Sequence, residues 1–470
     1  MIPPTATVAA EIVDEFADAR LGDTRRNQRL ESIARRLVAN PDSPFPRALA
    51  TSADLEGFYR FLRNKAVTFE TLLEPHVQAT VERLSGLPEA IAVHDTTEFR
   101  YGGTRDELGR LGKAGHGFLA HLSIAVSRGE ARAPLGTLAA ETWVRTGPTA
   151  TSLRRELGLS WKEVREIPTE QARWARVVDA TEAAVGRATS LIHVMDSEAD
   201  DYALMSTLVE KGRRWVIRLG YDRVVEASPL KAKALMAQSA IVCKREVPIS
   251  PHRRQYGGGV RARGRVRDGR IAKLSISASP LRLKRPRPAS PKTPATLDVN
   301  VVAVRELKPP PGADPVEWLL LTTEPIATEE QILSIIDAYR ARWRIEEFFK
   351  ALKTGCALEK RQLESKRTLL NALALFIPVA WNLLRLRTTA REKRITDARV
   401  VLDPEQLLVL RKSAKRPLPR RLSAQKAMMA IADLGGHLRS NGDPGWQVLG
   451  RGYQDLLMMV VGYRLARDGK

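Results

Sequence analysis

The chain has 470 residues and a formal net charge of +22, an excess of Lys and Arg that favours an acidic partner. Nucleic acid is the leading candidate, because Lys and Arg gain affinity by releasing counterions from phosphates, and a membrane surface is the alternative. A helix that spans a membrane needs ~20 apolar residues. The best run, 369–384, is interrupted by Asn371, Pro378 and Asn382 and predicts a buried helix instead.

A chain of this length is expected to form two to four domains. The N-terminus lacks a basic segment followed by an apolar core, so no secretion signal is predicted. Cys243 and Cys356 are too few for a disulfide framework or a zinc cluster. We therefore expect a cytoplasmic protein that does not use a membrane.

The first 70 residues have helical patterning. A helix is predicted to begin at Thr24 and to carry Arg25, Arg26 and Arg29. We interpret residues 1–70 as a helical DNA-binding domain whose arginines contact phosphates or base edges. The alternative is a helical cap with a basic outer surface.

Two short apolar runs each end in an aspartate. The run 90–95 predicts a buried strand with Asp95 at its carboxyl end, and the run 191–196 repeats this pattern with Asp196. Strand ends are common positions for catalytic carboxylates, although turns and helix caps use Asp as well. Glu98 could replace Asp95, but it lies beyond the apolar run.

Other polar residues near these runs have simpler interpretations. His121 begins a further predicted strand, where a lone histidine is more often structural than catalytic. Glu198 and Asp200 are favourable charges at the start of a helix. Asp196 is therefore the better metal ligand of its segment.

The segment 219–316 has a different composition, dominated by Gly, Pro, Arg and Lys. The alternation in 272–277 predicts β-hairpins, so we interpret the segment as a basic β insertion that can follow a phosphate backbone. The alternative is a basic loop without regular structure. Its main arginine run is Arg253, Arg254, Arg261, Arg263, Arg265, Arg267 and Arg270.

After a predicted core strand at 317–323, the segment 328–353 predicts one long helix. Thr328 and Gln331 suit a capping box at its start, and Gly355 suits its end. The rest of the chain has helical patterning to residue 470. Its last apolar stretch is rich in Leu, Met and Val and suits contact between subunits.

Four polar residues of the long helix share one face, because they are spaced three, four and seven residues apart. They are Tyr339, Arg342, Glu346 and Lys353. One carboxylate among cations and a hydroxyl suits a metal ion beside a phosphodiester. The alternative is a solvated face with Glu–Arg pairs.

Asp95, Asp196 and Glu346 together form a candidate three-carboxylate site. Such a site can hold two divalent ions about 3.5–4 Å apart, one activating the attacking oxygen and the other stabilising the leaving oxygen. Mg²⁺ suits hard oxygen ligands. The predicted cofactor is therefore a pair of Mg²⁺ ions, with Mn²⁺ as a substitute.

The segment 339–355 resembles the Tyr-(2)-Arg-(3)-Glu-(6)-Lys signature of bacterial DDE transposases of the insertion-sequence-four type, the group of the transposon-five transposase. Weaker similarities occur in the family's order along nearly the whole chain. They lie at 21–26, 95–97, 196–200, 318–322, 432–436 and 445–446.

This resemblance implies an α/β fold with an RNase H-like catalytic domain at 71–355, interrupted by the β insertion. It implies that 356–470 form a helical C-terminal dimerisation domain. It also implies cut-and-paste transposition by a homodimer on paired DNA ends, in a bacterial, nucleoid-associated location. In such a reaction water nicks the element end, the freed 3′-hydroxyl forms a DNA hairpin, and the opened 3′ ends join target DNA.

The resemblance also implies roles for individual residues. The three carboxylates of the candidate site would be metal ligands, and Tyr339, Arg342 and Lys353 would hold phosphates. Trp318 would stack on a base flipped out during hairpin formation, which offsets the cost of unstacking it, and Arg218 would help shape that hairpin.

The chain departs from the family in three respects. Ser197 stands where the family is expected to have an arginine beside the second aspartate, and His94 directly precedes Asp95. The N-terminal region matches only in its arginine-rich turn. The DNA end sequence therefore cannot be inferred. Two alternatives stay open: an RNase H-like nuclease that cuts DNA without joining it, and an inactive DNA-binding inhibitor of transposition.

Overall fold

The computed structural model describes residues 12–468 except 40–42, 50, 104, 106, 112–114, 130, 146–157, 159–169, 250–268, 312, 314 and 392–395. Most of the arginine run predicted in the β insertion, from Arg253 to Arg267, lies outside the described residues. The chain divides into two compact units. The first comprises Met1–Pro148, Val177–Ser190 and Trp343–Lys470, and the second comprises Thr149–Arg176 and Leu191–Arg342.

The helices and strands are numbered in chain order over the described residues. The α-helices are α1 (Thr24–Ala39), α2 (Phe45–Ala48), α3 (Ser52–Arg63), α4 (Phe69–Leu84), α5 (Ala172–Val185), α6 (Tyr202–Glu210), α7 (Ala232–Gln238), α8 (Glu329–Arg340), α9 (Trp343–Lys350), α10 (Lys366–Ala390), α11 (Pro404–Ser413), α12 (Ala424–Leu434) and α13 (Trp446–Asp468). The strands are β1 (Glu89–Tyr101), β2 (Gly109–Arg110), β3 (His116–Ser127), β4 (Pro134–Trp143), β5 (Ser190–Met195), β6 (Arg214–Arg218), β7 (Cys243–Ile249), β8 (Arg270–Lys284), β9 (Thr296–Glu306) and β10 (Glu317–Thr322).

The first unit contains an antiparallel sheet that packs against helices α4, α9 and α10. Strand β3 pairs with β1 on one side and with β4 on the other, and the short β2 also pairs with β3. The backbone N–H of Ser190, at the start of β5, donates to the carbonyl of Pro88 at 3.1 Å, just before β1 begins. The chain thus enters β5 beside the start of β1.

The second unit contains parallel and antiparallel strand pairs. Strands β5 and β6 are parallel and are connected through α6, a βαβ connection, and β10 then pairs antiparallel with β6. Strands β9, β8 and β7 follow as an antiparallel series. The predicted mixed α/β fold, with a β-rich insertion and helical N- and C-terminal regions, is confirmed, and it is consistent with the expected RNase H-like core. The insertion also contains the short helix α7, which the sequence pattern did not predict.

Strand β1 is longer than predicted. The apolar run ends at Asp95, but the strand continues to Tyr101, because Thr97, Phe99 and Tyr101 remain buried and keep the alternation of a strand. Asp95 therefore lies in the middle of β1, and its expected position at the carboxyl end was wrong.

The single long helix predicted at 328–353 is interrupted. The capping box is confirmed, since the side chains of Thr328 and Gln331 each bond to the other's backbone N–H. Helix α8 ends at Arg340, α9 begins at Trp343, and a π-helical turn follows at Ala351–Gly355. The regular spacing of 3.6 residues per turn therefore does not extend through the whole segment, and the shared face of the four polar residues stays a prediction.

The predicted buried helix at 369–384 is confirmed as part of α10. This helix is long and apolar enough to cross a membrane, yet 89% of its most apolar window is buried inside the chain. One of its buried polar residues, Asn371, has backbone partners in the N-terminal region. Its amide donates to the carbonyls of Leu62 and Val67 at 3.0 and 2.9 Å.

Candidate active site

Asp95 is nearly buried on β1. The residue is 9% exposed, and its carboxylate accepts the backbone N–H of Thr96 at 2.7 Å. Strand alternation places Asp95 and Phe99 on the same face of β1. The ammonium of Lys353, in the π-helical turn, lies 5.4 Å from the centre of the Phe99 ring. The first unit therefore brings Lys353 beside β1, four residues along the strand from Asp95.

Glu346 is held on a helix whose orientation is fixed by its neighbours. Helix α9 packs against β1. The guanidinium of Arg344 donates to the carbonyls of Ala131 and Arg132 at 3.2 and 3.0 Å and pairs with Glu347 at 2.8 Å. These bonds join α9 to the turn between β3 and β4, and they fix the backbone next to Glu346.

Lys353 occupies a partly buried position among charges. Burial lowers the pKa of its ammonium group, whereas the carboxylates of Glu359 and Glu98 raise it and the nearby Arg100 lowers it further. An ammonium group in such a place gains by meeting an anion, which fits the predicted phosphate contact.

The alternative carboxylate on β1 is already engaged with cations. Glu98 pairs with Arg100 at 2.7 Å and with Arg145 at 3.7 Å. It also lies on the face opposite Asp95, because the two are three residues apart on a strand. This arrangement favours Asp95 as the candidate ligand.

His121 is fully buried on the opposite side of the sheet from Asp95. Its Nδ1 lies 2.8 Å from the hydroxyl of Thr96, which alternates with Asp95 along β1. Its ring also stacks on that of His94, with ring centres 5.9 Å apart. This packing supports the structural interpretation of His121.

Asp196 directly follows β5, as the sequence predicted. Its Oδ1 accepts the backbone N–H of Glu198 at 2.8 Å and caps the short 3₁₀ turn Ser197–Ala199. Met195 is the register partner of Ile217 in the parallel pair β5–β6. Asp196 follows Met195, and Arg218 follows Ile217. The two residues therefore lie side by side at the carboxyl ends of β5 and β6, in the second unit.

Arg218, Trp318 and Tyr339 form a cluster in the second unit. The rings of Trp318 and Tyr339 meet edge to face with centres 5.4 Å apart, and the Tyr339 hydroxyl is hydrogen-bonded to Arg218. Burial raises the pKa of Tyr339, while the charges of Arg342 and Arg218 lower it and that of Asp196 raises it. Three predicted DNA contacts thus lie together in this cluster. A fourth, Arg342, and the second aspartate, Asp196, are close enough to affect the pKa of Tyr339.

One exposed aromatic residue beside the candidate site was missed. Trp343, the first residue of α9, is 51% exposed, and the ammonium of Lys350 lies 5.1 Å from its ring centre. Its spacing from Glu346 could have indicated it, since residues three apart on a helix are neighbours.

The three arginines predicted to bind DNA near the N-terminus lie on α1 and differ in their contacts. Arg25 is exposed, and Arg29 lies 4.0 Å from Asp54 with its side chain 46% exposed. Arg26 donates to the carbonyl of Leu21, so part of its function is to hold the turn before α1. Their contacts with DNA stay a prediction.

The predicted metal ligands divide between the two units, with Asp95 and Glu346 in the first and Asp196 in the second. Among the described residues, no three His, Cys, Asp or Glu side chains form a group that could hold a metal ion. The donor set itself consists of carboxylate oxygens, which are ligands that Mg²⁺ and Mn²⁺ prefer. The two-ion site stays a prediction.

Two family models match parts of the chain. Residues 170–383 match the model described as transposase DDE domain, and residues 10–67 match the model described as transposase DNA-binding. Over these two segments the chain is similar to transposases. The match to this domain contains Asp196 and the whole 339–355 signature, whereas Asp95 precedes it. Such domains cleave and transfer DNA and depend on divalent metal ions.

The chain was also compared with solved structures. It is similar to a piggyBac transposase in a synaptic complex with hairpin DNA, with a TM-score of 0.37 and 10% sequence identity. The match covers 99% of this chain and 80% of the other. A similarity this low carries no argument here. The insertion-sequence-four type, and with it a bacterial origin, stays a prediction.

Proposed function

We propose that this chain is a cut-and-paste DNA transposase. It cleaves the ends of a DNA element by metal-dependent phosphodiester hydrolysis, passes through a DNA hairpin, and joins the 3′ ends to target DNA. The observation that carries the proposal is the clustering of Asp196, Arg218, Trp318 and Tyr339 in a chain whose residues 170–383 match the DDE domain.

The proposed metal ligands are Asp95, Asp196 and Glu346, with two Mg²⁺ ions as the expected cofactor and Mn²⁺ as a substitute. When bound, the ions activate the attacking oxygen and stabilise the leaving oxygen. The chain's own cations position the substrate. Lys353, held beside Phe99 of β1, supplies positive charge for a phosphate next to the cleaved bond.

The cluster of Arg218, Trp318 and Tyr339 acts in the proposed hairpin step. An unstacked base needs a flat surface to replace its lost neighbours, and Trp318 is such a surface. Tyr339 supports the Trp318 ring from its edge, and Arg218 is bonded to the Tyr339 hydroxyl. These contacts keep the cluster in one geometry before DNA arrives, which lowers the cost of binding the flipped base.

We propose a homodimer on paired DNA ends as the active form. Helix α13 exposes apolar side chains that suit a subunit contact, among them Met458 (45%), Val461 (36%) and Leu465 (71%). Double-stranded DNA is the other partner, contacted by Arg25, Arg29 and the basic insertion. Action on cellular DNA places the protein inside the cell.

The proposal is tested by replacing each proposed ligand without changing its size. Asp95→Asn, Asp196→Asn and Glu346→Gln should each abolish Mg²⁺-dependent cleavage of candidate element ends while DNA binding in gel shifts stays within about twofold. Glu98→Gln and Glu198→Gln are matched controls, since each removes a neighbouring carboxylate and should leave cleavage intact. Full cleavage by any of the three ligand variants would refute the assignment.

The same assay separates the proposal from its alternatives. Joined products in which an end is linked to target DNA support a transposase. Cleavage without joining, at every metal concentration and with paired ends present, supports an RNase H-like nuclease. DNA binding without cleavage by the unaltered protein, in either Mg²⁺ or Mn²⁺, supports an inactive inhibitor.

A further inference from the structure

A cleft of about 620 Å³ lies in the second unit beside the turn that follows Asp196. This volume is typical of sites that bind small ligands or single nucleotides. Its walls come from residues 200–202, 221–224 and 284–289. Gly220, at the entrance to one wall, approaches the turn so closely that an added Cβ would lie 2.9 Å from the carbonyl oxygen of Ser197.

The acidic side chains of the cleft are already used by the fold. Asp200 is 3% exposed, accepts the backbone N–H groups of Gly220 and Tyr221 at 2.7 Å, and pairs with Arg223 at 2.5 Å. Asp201 caps α6 by accepting a backbone N–H at 2.9 Å. Asp222, the third carboxylate that lines the cleft, accepts the backbone N–H of Lys233 at 3.0 Å. Each of the three carboxylates therefore holds at least one backbone N–H group of the fold.

The cleft is also lined by basic side chains that form no ion pair with the described residues. Lys284, Arg285 and Arg287 line the cleft, and in the described part of the chain none of them pairs with a carboxylate. Arg285 is nevertheless fixed in place, because it donates to the carbonyls of Pro291 and Thr293 at 2.9 and 2.5 Å. Three positive charges on one wall favour a phosphate backbone.

The cleft also holds an exposed aromatic ring on a fixed backbone. Tyr221 is 69% exposed, and its backbone N–H is held by Asp200. The guanidinium of Arg223 lies 5.6 Å from the centre of the Tyr221 ring. An exposed ring beside cations is the arrangement by which proteins bind single strands, because every base has a face that can stack.

We propose that this cleft binds an unpaired DNA strand, with a base stacked on Tyr221 and phosphates held by Lys284, Arg285 and Arg287. A duplex fits less well, because its base faces are already stacked on each other. The inference rests on the proposed function, in which strands separate near the cleaved end. The lining of the cleft begins at Asp200, four residues after Asp196, and all of it belongs to the second unit.

The test measures binding without chemistry. A fluorescein-labelled oligothymidine is titrated with the full chain in buffer without divalent metal, and affinity is read by anisotropy over a range of salt concentrations. Tyr221→Ala should weaken binding about 5- to 100-fold with little change in salt dependence, because stacking is uncharged. Tyr221→Phe should bind like the unaltered protein.

Substitutions of the basic lining residues should change the salt dependence of binding. The double variant Lys284→Gln, Arg287→Gln should weaken binding and lower the slope of log affinity against log salt by about 1.4, since each lost phosphate contact removes about 0.7. Arg282→Gln is the matched control, because it lies on the same strand but pairs with Asp298 at 2.6 Å. It should change affinity and slope little.

The outcomes separate this site from the proposed activity. Unchanged oligothymidine affinity in both Tyr221→Ala and the double variant overturns the cleft, whatever the protein does to element ends. Equal affinity for a duplex of the same length, lost equally in Tyr221→Ala, also overturns it. If Tyr221→Ala loses affinity for oligothymidine but not for the duplex, the cleft is supported even if cleavage is never found.

Discussion

The rings of Trp318 and Tyr339 meet edge to face, with their centres 5.4 Å apart. Trp318 lies on β10 and Tyr339 on α8, so the contact joins the sheet of the second unit to the helix that leads to Glu346. The ring of Trp318 can be removed without removing a charge. It is therefore the most direct probe of the proposed hairpin step.

Trp318→Ala should slow hairpin formation about 10- to 100-fold while slowing the first nick by much less, because stacking is needed only when a base is unstacked. The rates are measured separately on pre-nicked and intact element ends. Tyr339→Phe serves as a control that keeps the edge contact and removes the hydroxyl. Equal slowing of nicking and hairpin formation by Trp318→Ala would indicate a packing role instead.

Lys353 should make DNA binding sensitive to alkaline pH. Its folded pKa is lowered by burial, so the ammonium loses its proton at a lower pH than an exposed lysine does. The affinity advantage of the unaltered protein over Lys353→Met should therefore shrink as pH rises from neutral towards about 10. Lys353→Arg keeps its charge over this range and should show no such decline in gel shifts.

The buried pair of Glu15 and His76 should make the first unit sensitive to acid. His76 Nδ1 lies 2.5 Å from a Glu15 oxygen, and its Nε2 accepts the backbone N–H of Thr137 at 3.1 Å. This geometry requires a neutral imidazole, in agreement with burial lowering the pKa of His76 although Glu15 opposes that effect. Burial alone would raise the pKa of Glu15, but the hydrogen bond from His76 and the charge and hydrogen bond of Arg83 lower it to about 2.

A carboxyl group whose folded pKa is depressed contributes stability above its unfolded pKa, and that stability is lost as pH falls towards the folded value. The contribution of Glu15 is thus present above pH ~4.5 and lost towards pH ~2. Glu15→Gln should lower the free energy of unfolding at neutral pH by about 3 kcal/mol, at ~1.4 kcal/mol per pKa unit. The decrease in the free energy of unfolding caused by Glu15→Gln should be much smaller near pH 3.

Urea unfolding at both pH values measures this difference. Glu89→Gln is the control, because Glu89 pairs with Arg128 at 3.2 Å in a partly exposed position where an ion pair contributes only ~0–1 kcal/mol. A Glu15→Gln penalty that is the same at both pH values would show that shape, and not charge, determines its effect.

Arg344 should matter for catalysis more than for binding. Its two bonds to the carbonyls of Ala131 and Arg132 fix α9, and lysine cannot reproduce this forked geometry. Arg344→Lys should lower the cleavage rate about 10- to 100-fold by misplacing Glu346, with DNA affinity unchanged. Arg340→Lys is the control, and a loss of affinity equal to the loss of rate would contradict this positioning role.

Two glycines on α13 provide a matched test of packing beneath Lys353. A Cβ at position 450 would lie 2.6 Å from the carbonyl oxygen of Gly355, whereas a Cβ at position 462 would meet nothing within 4 Å. Gly450→Ala should therefore destabilise the fold by ~1–3 kcal/mol. Gly462→Ala should be neutral or stabilise by up to ~1 kcal/mol, since alanine favours helices. Thermal unfolding compares the two, and equal effects would exclude close packing at Gly450.

Several elements were predictable because the signal lies in adjacent residues. The capping box of Thr328 and Gln331 depends on side chains three residues apart, and the strand before Asp196 depends on one short apolar run. The helix interruption at 341–342 was not predictable in this way, because apolar spacing continues across it. Irregular turns of this kind are selected by the surfaces on which they pack.

By itself, the sequence determined the basic charge, the order of the motifs, the types of most elements and the chemical nature of the candidate ligands. Only the tertiary structure decided that Asp95 lies mid-strand, that Glu98 is paired with arginines, and that Tyr221 stands exposed beside cations. The reason is physical. Propensity and periodicity act between near neighbours, whereas burial and charge pairing depend on residues as far apart as Glu15 and His76, 61 positions along the chain, which only the packed fold brings together.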